Sequence, residues 1–236
     1  MIEVDIKYMK RAMQIARGGL LHASPNPMVG AVIVAPDGRI IGEGFHRQCG
    51  SLHAEPNAVN SVSEADKHLL RESTMYVTLE PCSHQGRTPA CARLIIEKQI
   101  PRVVIGSLDP FAKVNGNGVR MLREAGVEVI VGVLEQECLE LNRRFMTCHQ
   151  LQRPWITLKW AMTSDGYIDA RNTLADQAMK ITTGLGVTAV HRLRAIHDAI
   201  LVGAGTVNAD NPSLGVREFA GKSPLKGGPP AAKRKR

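Results

Sequence analysis

His53-Ala54-Glu55, then Thr78-Leu79-Glu80-Pro81-Cys82, then Ala90-Cys91: this stretch decides how the rest of the chain is read. One imidazole and two thiolates are the nitrogen and sulfur ligands that zinc prefers, and three protein ligands leave a fourth tetrahedral position for water. His53, Cys82 and Cys91 are therefore the expected zinc ligands. Glu55 follows the histidine by two positions, near enough to reach that water without being a ligand. The pattern points to hydrolysis at an amidine-type carbon, with Glu55 carrying protons from the water to departing ammonia.

His-x-Glu or Pro-Cys alone says little, since both arise by chance on solvated surfaces. In this order and with a second cysteine following, they match the pattern of zinc deaminases. The competing reading is a buried structural histidine beside two unrelated cysteines. The spacing from Cys82 to Cys91 is longer than the usual Cys-x2-Cys. Its insert, Ser83 to Ala90, is polar and holds Gly86 and Pro89, so it reads as a loop beside the metal.

Around this stretch the local patterns alternate. Met9, Ala12, Met13 and Ala16 fall on one face of a helix from Asp5 to Arg17, stopped by Gly18-Gly19. Val29 to Ala35 and Arg39 to His46 read as a hairpin across Pro36-Asp37-Gly38. His46 ends that second strand as a surface histidine by default, although its position points toward the metal loop. A helix begins at His53, a strand runs from Thr74 to Leu79 into Pro81-Cys82, and Pro89 starts a helix that carries Cys91 to Lys98. Arg102 to Gly106 and Val127 to Val131 are buried strands flanking a helix from Gly118 to Ala125. The order β-β-α-β-α-β-α-β predicts about five strands with helices on both faces, ending near Arg144, with the ligands at strand-to-helix junctions.

Composition limits the remaining classes. The chain has 236 residues, 44% of them hydrophobic and 22% charged, ordinary values for a globular protein. No signal peptide and no apolar run of membrane-spanning length is evident. The five cysteines include two already assigned to metal, which suits a reducing cytoplasm better than a disulfide framework. Cys49 reads as a spare thiol rather than a further ligand. The net charge is +8, yet Lys222, Lys226, Lys233, Arg234, Lys235 and Arg236 account for most of it. The body shows no basic stripe, so a nucleic-acid partner and a membrane partner are not expected.

From about Met1 to Cys148 the chain resembles the cytidine-deaminase-like superfamily. Within that superfamily it is similar to the deaminase half of a bifunctional riboflavin-biosynthesis family. The resemblance rests on Asn26-Pro27-Met28-Val29-Gly30, Gly44-Phe45-His46, His53-Ala54-Glu55, Thr78 to His84, Gly86 to Cys91 and Ala125-Gly126-Val127. The long Cys–Cys spacing is that family's own. The resemblance implies a diaminopyrimidinone bearing a ribosylamino 5′-phosphate as substrate. It also implies that Asn26 and His46 face the pyrimidine and that Arg87 pairs with the phosphate. On residue chemistry alone Arg87 reads equally as a solvated loop arginine. Asp109-Pro110-Phe111-Ala112-Lys113-Val114 departs from the family's Asp-Pro-Asn-Pro-Lys-Val.

After Arg153-Pro154 a different pattern begins. Trp155 to Ala161 reads as a strand, Val187 to Ile196 as a helix and Asp198 to Val202 as a buried strand. Lys159 to Gly166, Leu193-Arg194-Ala195, Asp198 to Thr206 and Asp210 to Leu214 resemble the reductase half of the same family. That half is similar to dihydrofolate reductase in fold and uses NADPH. The resemblance places Ala161, Thr206 and Asp210 at the dinucleotide and Arg194, Leu214 and Arg217 at the sugar phosphate. By residue pattern, Gly203-x-Gly205 serves equally as a tight packing turn. Lys180-Ile181-Thr182-Thr183-Gly184 replaces the family's Trp-Ile-Thr-Gly. Gly227 to Ala232 stands where the next core strand is expected.

The expectation is thus a three-layer α/β/α cytidine-deaminase-like domain at 1–148, followed by an incomplete dihydrofolate-reductase-like α/β domain at 153–226. A basic low-complexity tail at 227–236 completes the chain, and the half-domain's open apolar edges favour a homo-oligomer. A tRNA or nucleoside deaminase and a non-catalytic zinc-stabilised scaffold are the alternatives.

Overall fold

A computed structural model describes residues 2–84, 89–110, 116–168 and 181–228. They divide into two units, Met1–Trp155 and Ile156–Arg236.

The first unit is built on a five-stranded mixed sheet. Helix α1 (Ile2–Ala16) leads through a 3-10 turn to β1 (Gly30–Val34) and β2 (Ile40–Phe45). Next come α2 (Ala54–Ser61), a 3-10 segment (Glu64–Glu72) and β3 (Thr74–Leu79). Helix α3 (Cys91–Glu97), β4 (Arg102–Ser107), α4 (Asn117–Glu124) and β5 (Glu128–Val131) complete the alternation. Two further helices, α5 (Glu135–Leu141) and α6 (Arg143–Leu151), follow. The strand order is β2-β1-β3-β4-β5, with β1 antiparallel to β2 and β3, and β3, β4 and β5 parallel.

The period-2 alternation of the strands fills two cores. Ala31, Ile33, Met75, Val77, Val103 and Ile105 face Ala54, Ala58, Ala92, Ile95 and Leu122 of α2, α3 and α4. Val32, Val34, Tyr76 and Val104 face Tyr8, Met9, Ala12 and Met13 of α1, together with Cys138 of α5. Because both faces are covered, β1 reads as an unbroken apolar run in which every residue is buried. The three layers agree with the sequence reading.

Gly44 brings α2 close to the sheet. A Cβ there would lie 2.2 Å from the Ala58 nitrogen and 2.5 Å from the Ala54 oxygen. No other residue permits that approach, and it fixes the first turn of α2, where Glu55 lies.

In the second unit, α7 (Leu185–Ala195) precedes β6 (Ala199–Leu201), α8 (Ala204–Asp210) and β7 (Leu225–Gly227). Strands β6 and β7 form a two-stranded parallel sheet. Three expectations are corrected here. No strand forms at 155–161: Ile156, Leu158 and Trp160 alternate as a strand would, but they are 66%, 78% and 65% exposed. Alternation alone cannot hold a strand without a ladder partner. The strand expected to be buried at Asp198 to Val202 is short and exposed, with Leu201 at 79%. Gly227 belongs to β7 rather than to a structureless tail, because its carbonyl accepts the Val202 N–H at 3.3 Å.

Candidate metal centre and its cavity

Three elements carry the ligand set. His53 is the N-cap of α2, in extended backbone geometry. Cys82 follows Pro81 in the turn after β3, and Cys91 opens α3. The Cys91 N–H donates to the Cys82 sulfur at 3.3 Å, and the Ala92 N–H donates to the Cys82 carbonyl at 3.1 Å. These bonds hold the two ends of the long insert together and bring the second thiol back to the first.

His53 Nδ1 lies 3.7 Å from Cys82 Sγ and 3.4 Å from Cys91 Sγ. All three ligand atoms fall within 4.8 Å of one another. Bond lengths of about 2.3 Å to sulfur and 2.0–2.1 Å to nitrogen give a tetrahedral site nitrogen–sulfur edges of roughly 3.5 Å. The donor set and its spacing fit zinc. Cys49 is exposed and stands outside the group.

Charge in the site is unevenly held. Burial pushes the Glu55 carboxyl up to about 7; the Cys82 charge adds to the rise and His53 opposes it. A hydrogen bond from Cys91 pushes the Cys82 thiol down to about 4, helped by His53. The same hydrogen bond, with burial, pushes Cys91 up. The pair therefore keeps one negative charge beside His53, whose own pKa is raised first by Cys82. A bound divalent cation would hold both sulfurs as thiolates.

The ligands border a cavity of about 430 Å³, lined among others by Asn26, His46, Glu55, Leu79, Phe145 and His149. His46 is 3% exposed, contrary to the default of a surface residue. Its Nδ1 faces the Leu52 carbonyl at 3.0 Å and its Nε2 faces Asn26 Nδ2 at 3.1 Å. A carbonyl can only accept, so Nδ1 carries the proton and Nε2 accepts from the Asn26 amide. Burial pulls the His46 pKa down, which keeps this neutral tautomer. The ring meets His53 edge-on, with centroids 5.6 Å apart.

Glu80 had no role in the sequence reading beyond its place in the motif. It is 4% exposed, and its two oxygens accept the N–H groups of Asp109, Gly116, Gly118 and Val119 at 2.9–3.3 Å. One buried carboxylate thus fastens the start of α4 beside the Pro81-Cys82 turn. Arg87 and Phe111 to Val114 lie outside the described residues. Sequence reasoning also missed Phe145 and His149, which come from a helix it did not foresee.

Comparison with known proteins agrees with this geometry. Residues 2–107 match the family described as "Cytidine and deoxycytidylate deaminase zinc-binding region", and residues 154–229 match the "RibD C-terminal domain". The riboflavin biosynthesis protein RibD of Actinobacillus pleuropneumoniae is 45% identical over 222 residues, covering 94% of this chain and 57% of the relative. RibD of Aquifex aeolicus is 46% identical over 215 residues, covering 91% and 58%. Over nine-tenths of its length this chain is similar to RibD proteins. A solved structure from Thermotoga maritima superimposes with a TM-score of 0.86 at 46% identity, covering 95% of this chain and 62% of that one. That protein is a diaminohydroxyphosphoribosylaminopyrimidine deaminase/5-amino-6-(5-phosphoribosylamino)uracil reductase. The chain spans a little over half the length of the curated RibD relatives it matches.

In the second unit, Arg194 donates to the Gly215 carbonyl at 2.9 Å and the Arg217 N–H donates to His191 Nδ1 at 3.0 Å. The Arg217 guanidinium meets Ser213, and Leu214 is buried between these residues in sequence. Arg194, Leu214 and Arg217 are thus gathered in one cluster. Burial, then the Arg217 charge, lowers the Arg194 pKa, so the pair would gain from an anion. The dinucleotide residues are placed differently. Thr206 and Asp210 are exposed on α8, Ala161 is half-buried, and a Cβ at Gly203 or Gly205 would meet nothing within 4 Å. The described residues offer no enclosed seat for NADPH at that loop.

Proposed function

We propose that the first unit is a zinc-dependent hydrolytic deaminase of riboflavin biosynthesis, acting on a diaminopyrimidinone that bears a ribosylamino 5′-phosphate. The observation that carries this reading is the three-ligand cluster of His53, Cys82 and Cys91, open to a cavity with buried Glu55 at its edge. Zinc bound there would lower the pKa of a coordinated water and so supply a nucleophile at neutral pH.

The chain's own residues do the rest. Glu55 takes a proton from the attacking water and returns it to the departing amine. Water adds, ammonia leaves, and the ring C–NH2 becomes C=O. Asn26, its amide N–H committed to neutral His46, presents Oδ1 to the donor edge of the pyrimidine. Leu79 supplies an apolar wall to the same cavity. By family resemblance Arg87 meets the substrate phosphate, and Arg194, Leu214 and Arg217 meet the sugar phosphate of the reductase reaction.

Five free thiols suit a reducing cytoplasm. The exposed apolar residues around β6 and β7, Leu201 and Leu225 among them, favour self-association of the chain. No described helix is long and apolar enough to cross a membrane.

The test is Glu55→Ala. It is expected to keep one zinc per chain while losing ammonia release by at least about two orders of magnitude, the usual scale of general acid–base catalysis. Retained turnover would remove Glu55 from the mechanism. Release of ammonia from a tRNA or free cytidine, and not from the pyrimidine nucleotide, would replace the substrate assignment.

A further inference from the structure

We propose that Asn142 is a positioning residue of the deaminase site, holding the Asn26–Met28 loop, and with it the Asn26–His46 pair, against the cavity. This rests on the function proposed above.

Asn142 lies between α5 and α6 and is 3% exposed. Its Oδ1 accepts the Met28 N–H at 2.7 Å and its Nδ2 donates to the Met28 carbonyl at 2.9 Å. One side-chain amide therefore satisfies both polar backbone groups of one residue, as a neighbouring strand would. The loop requires this because Pro25 and Pro27 have no N–H, so few of its residues can donate. Asn142 is itself held at both ends: its N–H donates to the Leu139 carbonyl at 3.1 Å, and its carbonyl accepts the Met146 N–H at 2.9 Å.

The loop grips His46 from two sides. Asn26, two residues before Met28, meets Nε2 of the ring at 3.1 Å. Val29, one residue after, accepts the His46 backbone N–H at 2.9 Å. Asn142 thus reaches the site through a residue that borders the cavity, across 114 positions of sequence. The helix it opens also brings Phe145 and His149 to the cavity, their rings 4.3 Å apart.

A double-mutant cycle tests the proposal on the full chain. Ammonia release from the pyrimidine nucleotide is measured for wild type, Asn142→Ala, Asn26→Ala and the double variant, with zinc content and amide exchange on each. A displaced site group can cost up to about a hundredfold in rate, so each single variant should lose about ten- to a hundredfold in kcat/KM. The double variant should fall no lower than the weaker single one, because Asn142 acts through Asn26. Zinc should stay at one per chain. Amides of 20–30 should exchange faster in Asn142→Ala while those of β3 and β4 do not.

Losses that multiply in the double variant, or wild-type turnover in Asn142→Ala, would overturn the proposal. Wild type that releases no ammonia would instead defeat the functional reading. Exchange then decides this one, and unchanged exchange at Met28 in Asn142→Ala would overturn it. Should Asn142→Ala not fold, Asn142→Ser, which keeps one hydrogen-bonding oxygen, serves in the same cycle.

Discussion

Arg102 sets two guanidinium nitrogens against the Asp5 carboxylate at 3.0 and 2.9 Å, and Tyr76 donates to the same carboxylate at 2.9 Å. This joins α1 to β3 and β4 inside the protein. Removing one partner strands a buried charge, so Arg102→Ala should lower unfolding free energy by about 3–5 kcal/mol in urea titration. Burial acts to raise the Asp5 pKa, but the Arg102 and Tyr76 hydrogen bonds outweigh it and hold the carboxyl below its ordinary 3.8. A depressed carboxylate stabilises the fold above its unfolded pKa. That contribution fades as pH falls below 3.8 through the folded value, and an Asp5→Asn variant should lose this acid-dependent portion of the melting curve. None of this was legible in the sequence, where Asp5 was only a helix residue and Arg102 a strand end. His53, Glu55, Cys82 and Cys91 were legible because metal chemistry restricts ligand type and order. His46 was legible only by resemblance, since spacing says nothing about burial.

Glu80 shows how an element can hang on one side chain. Its four N–H partners span the loop from Asp109 to the start of α4. Glu80→Gln would turn an accepting oxygen into an NH2 facing donors, at a cost of about 1–3 kcal/mol; a urea midpoint unchanged from wild type would contradict this clamp. Gly44→Ala acts on α2 by another route, since the new Cβ would meet backbone rather than a flexible side chain. Overpacking of this kind costs about 1–3 kcal/mol, and because α2 begins at His53 it should also weaken zinc binding in a competition titration. The five strands and α1 to α4 were readable from apolar runs and turn residues. Helices α5 and α6 were not, because α5 buries only Cys138 and so carries little periodicity. Their absence from the sequence reading hid Asn142, Phe145 and His149. The strand expected at 155–161 failed for the opposite reason: the pattern was present and the partner was not.

At the scale of the molecule, the two units differ in how much they enclose. The first buries both faces of its sheet. The second exposes Leu201 and Leu225 on its only described sheet and leaves Thr206 and Asp210 in solvent. The residues of the site proposed for deamination all lie in the enclosed first unit. The most direct measurement of the account as a whole is zinc per chain and ammonia release from the pyrimidine nucleotide on one preparation, before and after chelation and zinc restoration. One zinc per chain, release of ammonia, and activity lost with the metal and recovered with it are expected. Ammonia release that survives complete removal of zinc, or a chain that binds none, would contradict the site built from His53, Cys82 and Cys91.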